Sequence, residues 1–123
     1  MSTDWEIGLK IKTEKTIYDA AEESDGKRVL VMRYWPRGVS KDKVNLWIKD
    51  LGTERELIRK WKAGKLTWAE FKRTYNSGLR GKEEMLKELA AESRSGIITL
   101  LCGCKNEARC HRSLLKLAIQ KYV

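Results

Sequence analysis

Apolar residues recur along this chain with two periods, one belonging to strands and one to helices. Trp5, Ile7, Leu9 and Ile11 alternate with polar neighbours through Lys12, the pattern of a strand that buries one face, here expected at a sheet edge. Residues 13–25 are polar and weakly patterned, and Ser24, Asp25 and Gly26 signal a turn. Residues 28–32 then form a short β-branched apolar run, as in an interior parallel strand covered on both faces. A second such run, residues 96–101, follows much later in the chain.

Four amphipathic helices are predicted between the two runs. Ser40 caps the first, whose apolar set Val44, Trp47, Ile48 and Leu51 has i, i+3, i+4, i+7 spacing before Gly52 ends it. Thr53 with Glu56 forms a capping box for the second, which buries Leu57, Ile58 and Trp61 and stops at Gly64. Thr67 with Glu70 repeats the device ahead of Trp68, Phe71, Tyr75 and Leu79. Gly81 precedes the fourth, with Met85, Leu86, Leu89 and Ala90 inward. A last helix spans residues near 107 to 122, its apolar side set by Leu114, Leu115, Ala118, Ile119 and Tyr122. Strand, helices, strand, helix is the order of a small α/β domain with a mostly parallel sheet, and 123 residues suit one domain, 1–123. Such folds place ligand clefts at the carboxyl ends of their strands.

Both interior strands end in unusual chemistry. After the first come Arg33, Trp35, Pro36, Arg37 and Gly38, where proline ends the strand and glycine permits a tight turn. After the second, a single stretch holds Cys102, Cys104, Cys110 and His111, all the cysteines and the sole histidine of the chain, followed by Arg112. Parallel neighbours would bring the two loops to one edge, with Arg33, Trp35, Arg37, Cys110 and Arg112 as ligand-binding candidates. Of the tryptophans only Trp35 lies on a loop, free to stack on a ligand; Trp47, Trp61 and Trp68 occupy core positions of helices.

Extending the last helix's wheel backward turns His111 inward, with Arg112 and Cys110 near the two margins of the buried side. Burial and a helix N-terminus both keep such a histidine neutral and able to accept a proton. Neighbouring helical positions diverge by about 100°, so Cys110 and His111 are not expected to act on each other. Cys102 or Cys104, across the loop, is the better partner for His111, with Arg112 or Arg33 lowering a thiol pKa. The three catalytic candidates are therefore Cys102, Cys104 and His111. The alternative for this stretch is plain packing, with the cysteines as small apolar residues and His111 bound to a backbone carbonyl. The spacing disfavours zinc, because Cys-x-Cys lacks the room of a Cys-x2-Cys knuckle; no metal and no cofactor is expected.

Composition sharpens the choice of partner. The chain carries a net charge of +9, and residues 28–82 hold 15 Lys or Arg against 5 Asp or Glu while the rest holds 11 against 12. The surplus attracts phosphate-bearing small molecules or nucleic acid, although solvated Lys- and Glu-rich helix faces, such as the stripe of Arg55, Arg59 and Lys62, account for it equally well. With no apolar run of spanning length and no secretory leader, a cytoplasmic location without a membrane partner is expected. An odd number of closely spaced cysteines makes reduced thiols the expectation. The oligomeric state is left open.

Two stretches together, residues 28–40 with their Arg33-Tyr34-Trp35-Pro36-Arg37-Gly38 core and residues 100–112 ending in Cys110-His111-Arg112, resemble the YeaO-like family, domain of unknown function 488. Trp47 to Leu51, Trp68 to Phe71, and Tyr75 fit the same pattern, so the resemblance covers nearly the whole chain. It implies a small α/β domain with a polar cleft near Arg33, Arg37, Cys110, His111 and Arg112, and it implies no particular reaction. Met32 stands where the family commonly has aspartate, and Trp61-Lys62-Ala63-Gly64 where it often has Trp-Phe-Gly-His. The missing acid and histidine move weight from catalysis to binding. The leading expectation is a basic cleft that binds a phosphate-bearing ligand, nucleotide or nucleic acid. A cysteine- and histidine-dependent enzyme acting on a small anionic substrate comes second, and an interaction subunit without ligand third.

Overall fold

A computed structural model describes residues 10–123. Its sheet has four parallel strands, β1 (Ile11–Lys12), β2 (Lys27–Leu30), β3 (Leu46–Trp47) and β4 (Ile98–Leu101), in the order β1-β4-β2-β3. Four α-helices accompany it among the described residues: α1 (Arg55–Lys62), α2 (Trp68–Gly78), α3 (Glu83–Ser95) and α4 (His111–Gln120). This is a small α/β fold. The two apolar runs are the central strands, paired Val29 with Leu100 and Leu30 with Leu101, so their carboxyl ends do lie side by side. β1 is an edge strand as expected; the rest of that predicted strand, residues 5–9, lies outside the described residues.

Strand alternation sends Val29, Leu100 and Ile98 into the main core, where Phe71, Tyr75, Leu86, Leu89, Leu115 and Ile119 of the helices meet them. The opposite face carries Leu30 and Leu101 with Ile17, covered by the loop residues Met32, Trp35, Val39 and Val44. Helices thus cover one face of the sheet and loops the other. Beneath the loops, Arg28 begins the apolar run as a buried charge, its Nη1 2.5 Å from Asp25 Oδ2. Thr99, opposite Arg28 on β4, donates to the Asp25 carbonyl at 2.6 Å. Asp25 is held in a short turn closed by Gly26 at φ +62°, where an added Cβ would stand 2.1 Å from the Ile97 carbonyl oxygen. Only glycine fits both that conformation and that distance.

The helix predicted from Ser40 to Leu51 does not form. Asn45 and Ile48 instead donate their backbone N–H groups to the carbonyls of Arg28 and Leu30, each at 2.9 Å, which makes β3 the outer neighbour of β2. Val44, Trp47 and Ile48 have side chains that favour strands, and an unpaired edge on β2 gives their backbone a partner that helical spacing alone cannot reveal. Ser40 opens only a three-residue turn and its hydroxyl goes to Asp42. Trp47 is consequently exposed, not a core residue.

The remaining helices follow their punctuation with one exception. Thr53 is buried and does not cap α1; the N-cap is Glu54, and Glu56 pairs with Arg59 instead. Thr67 and Glu70 do form the reciprocal capping box of α2, with bonds of 3.1 and 3.0 Å. Thr67→Ala should lower stability by about 1 kcal/mol, measured as a shift of the urea midpoint at unchanged slope. Arg55, Arg59 and Lys62 are exposed, as a solvated face requires. No helix of the described residues is long and apolar enough to cross a membrane.

Candidate functional site

β4 ends at Leu101 and delivers Cys102 to the carboxyl edge of the sheet, where its carbonyl accepts from the Ile17 N–H at 3.0 Å. The chain then loops through Gly103 and Cys104 and a short turn, Glu107–Arg109, before α4 starts at His111. The wheel of α4 is confirmed in its main consequence: His111 faces inward and is buried. Its ring packs 5.4 Å from that of Tyr75, at the end of an aromatic row that runs from Trp61 and Trp68 through Phe71. Nε2 of His111 lies 2.5 Å from the Val31 carbonyl oxygen. A carbonyl can only accept, so Nε2 carries the proton, and in the neutral ring Nδ1 is left with a lone pair.

That lone pair faces two sulfurs. Cys102 Sγ is 3.9 Å and Cys110 Sγ 3.8 Å from Nδ1. The divergence expected of Cys110 and His111 is corrected by the backbone: Cys110 is the N-cap residue, with extended φ −130° and ψ 146°, so the helical rotation between neighbours does not apply to it. Carbonyl bonding and thiol contact, set apart as alternatives by the sequence, are made by the same ring.

Arg112 is fully buried. Its Nε donates to the Thr13 carbonyl and its Nη1 to the Cys104 carbonyl, both at 2.7 Å, and Nη1 also lies 3.2 Å from Cys110 Sγ. Among the described residues no carboxylate pairs with it, and Nη2 is buried without a partner. A buried guanidinium needs a counter-charge, and here the neighbouring groups able to supply one are thiols. A hydrogen bond from the Cys110 thiol, helped by the Cys104 backbone N–H and the Arg112 charge, outweighs desolvation and brings the Cys102 thiol down to about 7. The same shared proton, together with burial, pushes the Cys110 thiol up to about 12. The pair thus carries one proton and one negative charge above neutral pH.

The other candidates lie apart from this cluster. Cys104 turns its thiol to the Asn106 carbonyl at 3.6 Å, and burial pushes it up. Arg33 is taken up by Glu54, at 3.1 Å, and by the Gly52 carbonyl. Arg37 is exposed on its loop, which turns at Gly38 with φ +75°. Trp35 donates to the Val39 carbonyl at 2.8 Å and meets Trp47 edge-on at 5.3 Å. Both indoles line an open cleft of about 450 Å³ beside β3, with Lys41, Val44, Asn45 and Leu46. Sequence reasoning missed Tyr75 as a wall of the site and the Val31 carbonyl as the group that sets the histidine tautomer. The apolar stripe of α2 marks Tyr75 as buried; nothing local marks Val31.

Sγ of Cys102, Sγ of Cys110 and Nδ1 of His111 all lie within 4.8 Å of one another, closer than the sequence spacing suggested. Such a donor set is compact enough for a soft cation, but the adjacent fixed charge of Arg112 opposes a cation and favours a thiolate.

Comparison with known proteins reaches most of the chain. A family model described as the active DUF488-N3 subclade matches residues 11–123. The uncharacterized protein YeaO of Escherichia coli is 36% identical over 103 residues, covering 82% of this chain and 90% of that protein. The uncharacterized proteins Mb3100c of Mycobacterium bovis and Rv3073c of Mycobacterium tuberculosis are each 31% identical over 101 residues, covering 80% of this chain and 85% of theirs. No solved structure matches the chain.

Proposed function

Because the chain belongs to the YeaO-like DUF488 family, and the subclade it matches is described as active, we propose that it is a thiol-dependent enzyme acting on a small anionic substrate. Cys102 is the attacking thiolate, His111 Nδ1 takes and returns its proton, and the Cys110 thiol donates to the sulfur. Arg112 supplies the positive charge that favours the thiolate, its Nη1 lying 3.2 Å from Cys110 Sγ. The observation that carries this reading is the His111 tautomer, fixed by Val31 so that the basic nitrogen faces the two sulfurs. A basic cleft for nucleotides or nucleic acid has less support, because Arg33 is neutralised by Glu54 and Arg112 turns away from solvent.

Alkylation of the native chain by iodoacetamide, followed against pH with peptide mapping, tests the assignment. Modification of Cys102 should rise with a midpoint near 7 and disappear in Cys102→Ser. Labelling confined to Cys104, or a Cys102 midpoint at the ordinary thiol value of about 8.5, would refute it. His111→Gln should move the midpoint upward while leaving the circular dichroism spectrum intact.

A further inference from the structure

Resting on the thiolate reading, we infer that Cys102 and Cys110 form a dithiol pair that reduces a small hydroperoxide and closes to a disulfide. The two Sγ atoms lie within 4.8 Å of each other, and neither residue is locked inside a helix or paired strand. Cys102 follows the last residue of β4, and Cys110 is the extended residue ahead of α4, so the loop between them gives both ends room to reach bonding distance. Both thiols are buried, at 7% and 2% exposure, which disfavours a bulky disulfide as the target of Cys102 and restricts the substrate to a small molecule. Gly103, the residue after Cys102, is covered only by the tips of Met32 and Tyr18, each 3.5 Å from where its Cβ would stand, and Tyr18 is exposed.

The Cys102 thiolate attacks the outer oxygen of the hydroperoxide; an S–O bond forms, the O–O bond breaks, and the leaving alkoxide takes a proton from the Cys110 thiol. Cys102 is then a sulfenic acid. The new Cys110 thiolate, beside Arg112, attacks the Cys102 sulfur, forming the S–S bond and expelling hydroxide, which a solvent proton converts to water. In sum, one thiolate, one thiol, one hydroperoxide and one proton give a disulfide, an alcohol and water, with the dithiol oxidised by two electrons and the peroxide bond reduced. Two equivalents of a small-molecule thiol close the cycle, restoring both cysteines and leaving as their own disulfide. His111 Nδ1, 3.9 Å from the Cys102 sulfur, keeps its role as the acceptor of the Cys102 proton.

The test adds one equivalent of hydrogen peroxide to the reduced full chain. Two of the three thiols should be lost, the intact mass should fall by two hydrogens, and mapping should join residue 102 to residue 110. Cys104→Ser should behave like the parent. Cys110→Ser, with Cys110→Ala as a second variant against loss of fold, should instead accumulate a sulfenic acid on Cys102 that dimedone traps. Cys102→Ser should consume peroxide at least about tenfold more slowly than the parent. A Cys102–Cys104 link, sulfinic acid without a disulfide, or one tightly held zinc that shields both thiols would each overturn the inference. If the alkylation midpoint of Cys102 stays near 7 in those cases, the thiol-enzyme reading stands and only the dithiol cycle falls.

Discussion

Asp25→Ala should cost roughly 3–5 kcal/mol, a large share of the stability of a domain this size. The carboxylate is 2% exposed and holds three groups at once: Arg28 Nη1 at 2.5 Å and the Glu22 N–H at 3.0 Å on Oδ2, and Lys15 Nζ at 2.9 Å on Oδ1. Arg28 is equally buried; its Nε reaches the Lys43 carbonyl, but its Nη2 has no partner among the described residues. Without Asp25 a guanidinium would remain inside the protein uncompensated, which costs more than the pair is worth. Burial pushes the Asp25 carboxyl up, yet Lys15, the Glu22 N–H and Arg28 together bring it below the ordinary range. Its contribution is therefore present above the unfolded value of about 3.9 and is lost as pH falls through the lower folded value. Urea midpoints of parent and Asp25→Ala should differ widely at pH 7 and move closer under strong acid; a constant difference would show that the loss comes from packing alone.

Arg112→Met should act on stability and chemistry together. Methionine fills much of the volume but leaves the buried Thr13 carbonyl and the half-buried Cys104 carbonyl without their donor, a loss of roughly 2–4 kcal/mol. It also removes the charge beside the sulfurs, so the Cys102 midpoint should climb from about 7 toward the ordinary thiol value. A thiol whose folded pKa is lowered stabilises the fold above its unfolded pKa and loses that contribution as pH falls through about 7. The stability gap between parent and variant should thus narrow below neutrality. Arg112→Lys keeps a charge but not the planar fork, and should recover more of the alkylation rate than of the stability. Equal alkylation profiles in all three proteins would remove Arg112 from the site.

How far the sequence could carry this picture depended on whether a signal was local. β2, β4, α2 and α3 were legible because burial repeats within each element, and the phase of α4 by itself turns His111 inward. β3 was not, because Val44, Trp47, Ile48 and Leu51 satisfy a helical template by coincidence while the deciding partner, the edge of β2, lies seventeen residues earlier. Thr53 and Glu56 have capping-box spacing, but packing buries the threonine. The same limit applies to the site. Arg33 read as a free cation until Glu54, 21 positions away, was seen to hold it. Asp25 read as a turn signal, though it is the counter-ion of a buried arginine. Cys110 was misjudged for a subtler reason: it stands one residue before the helix whose geometry was applied to it.

The bond from Arg112 to the Thr13 carbonyl joins positions 99 apart. Seen from the ribosome, that distance is an order of events. Cys102 emerges from the tunnel before residue 112 does, and until α4 settles against the segment after β1 its sulfur has neither the guanidinium nor the imidazole beside it. A nascent chain that has exposed Cys102 but not yet residue 112 should therefore carry an ordinary thiol. Alkylation at neutral pH of ribosome-bound chains stalled before and after residues 111–120 have emerged should show Cys102 reactivity rising only in the longer ones.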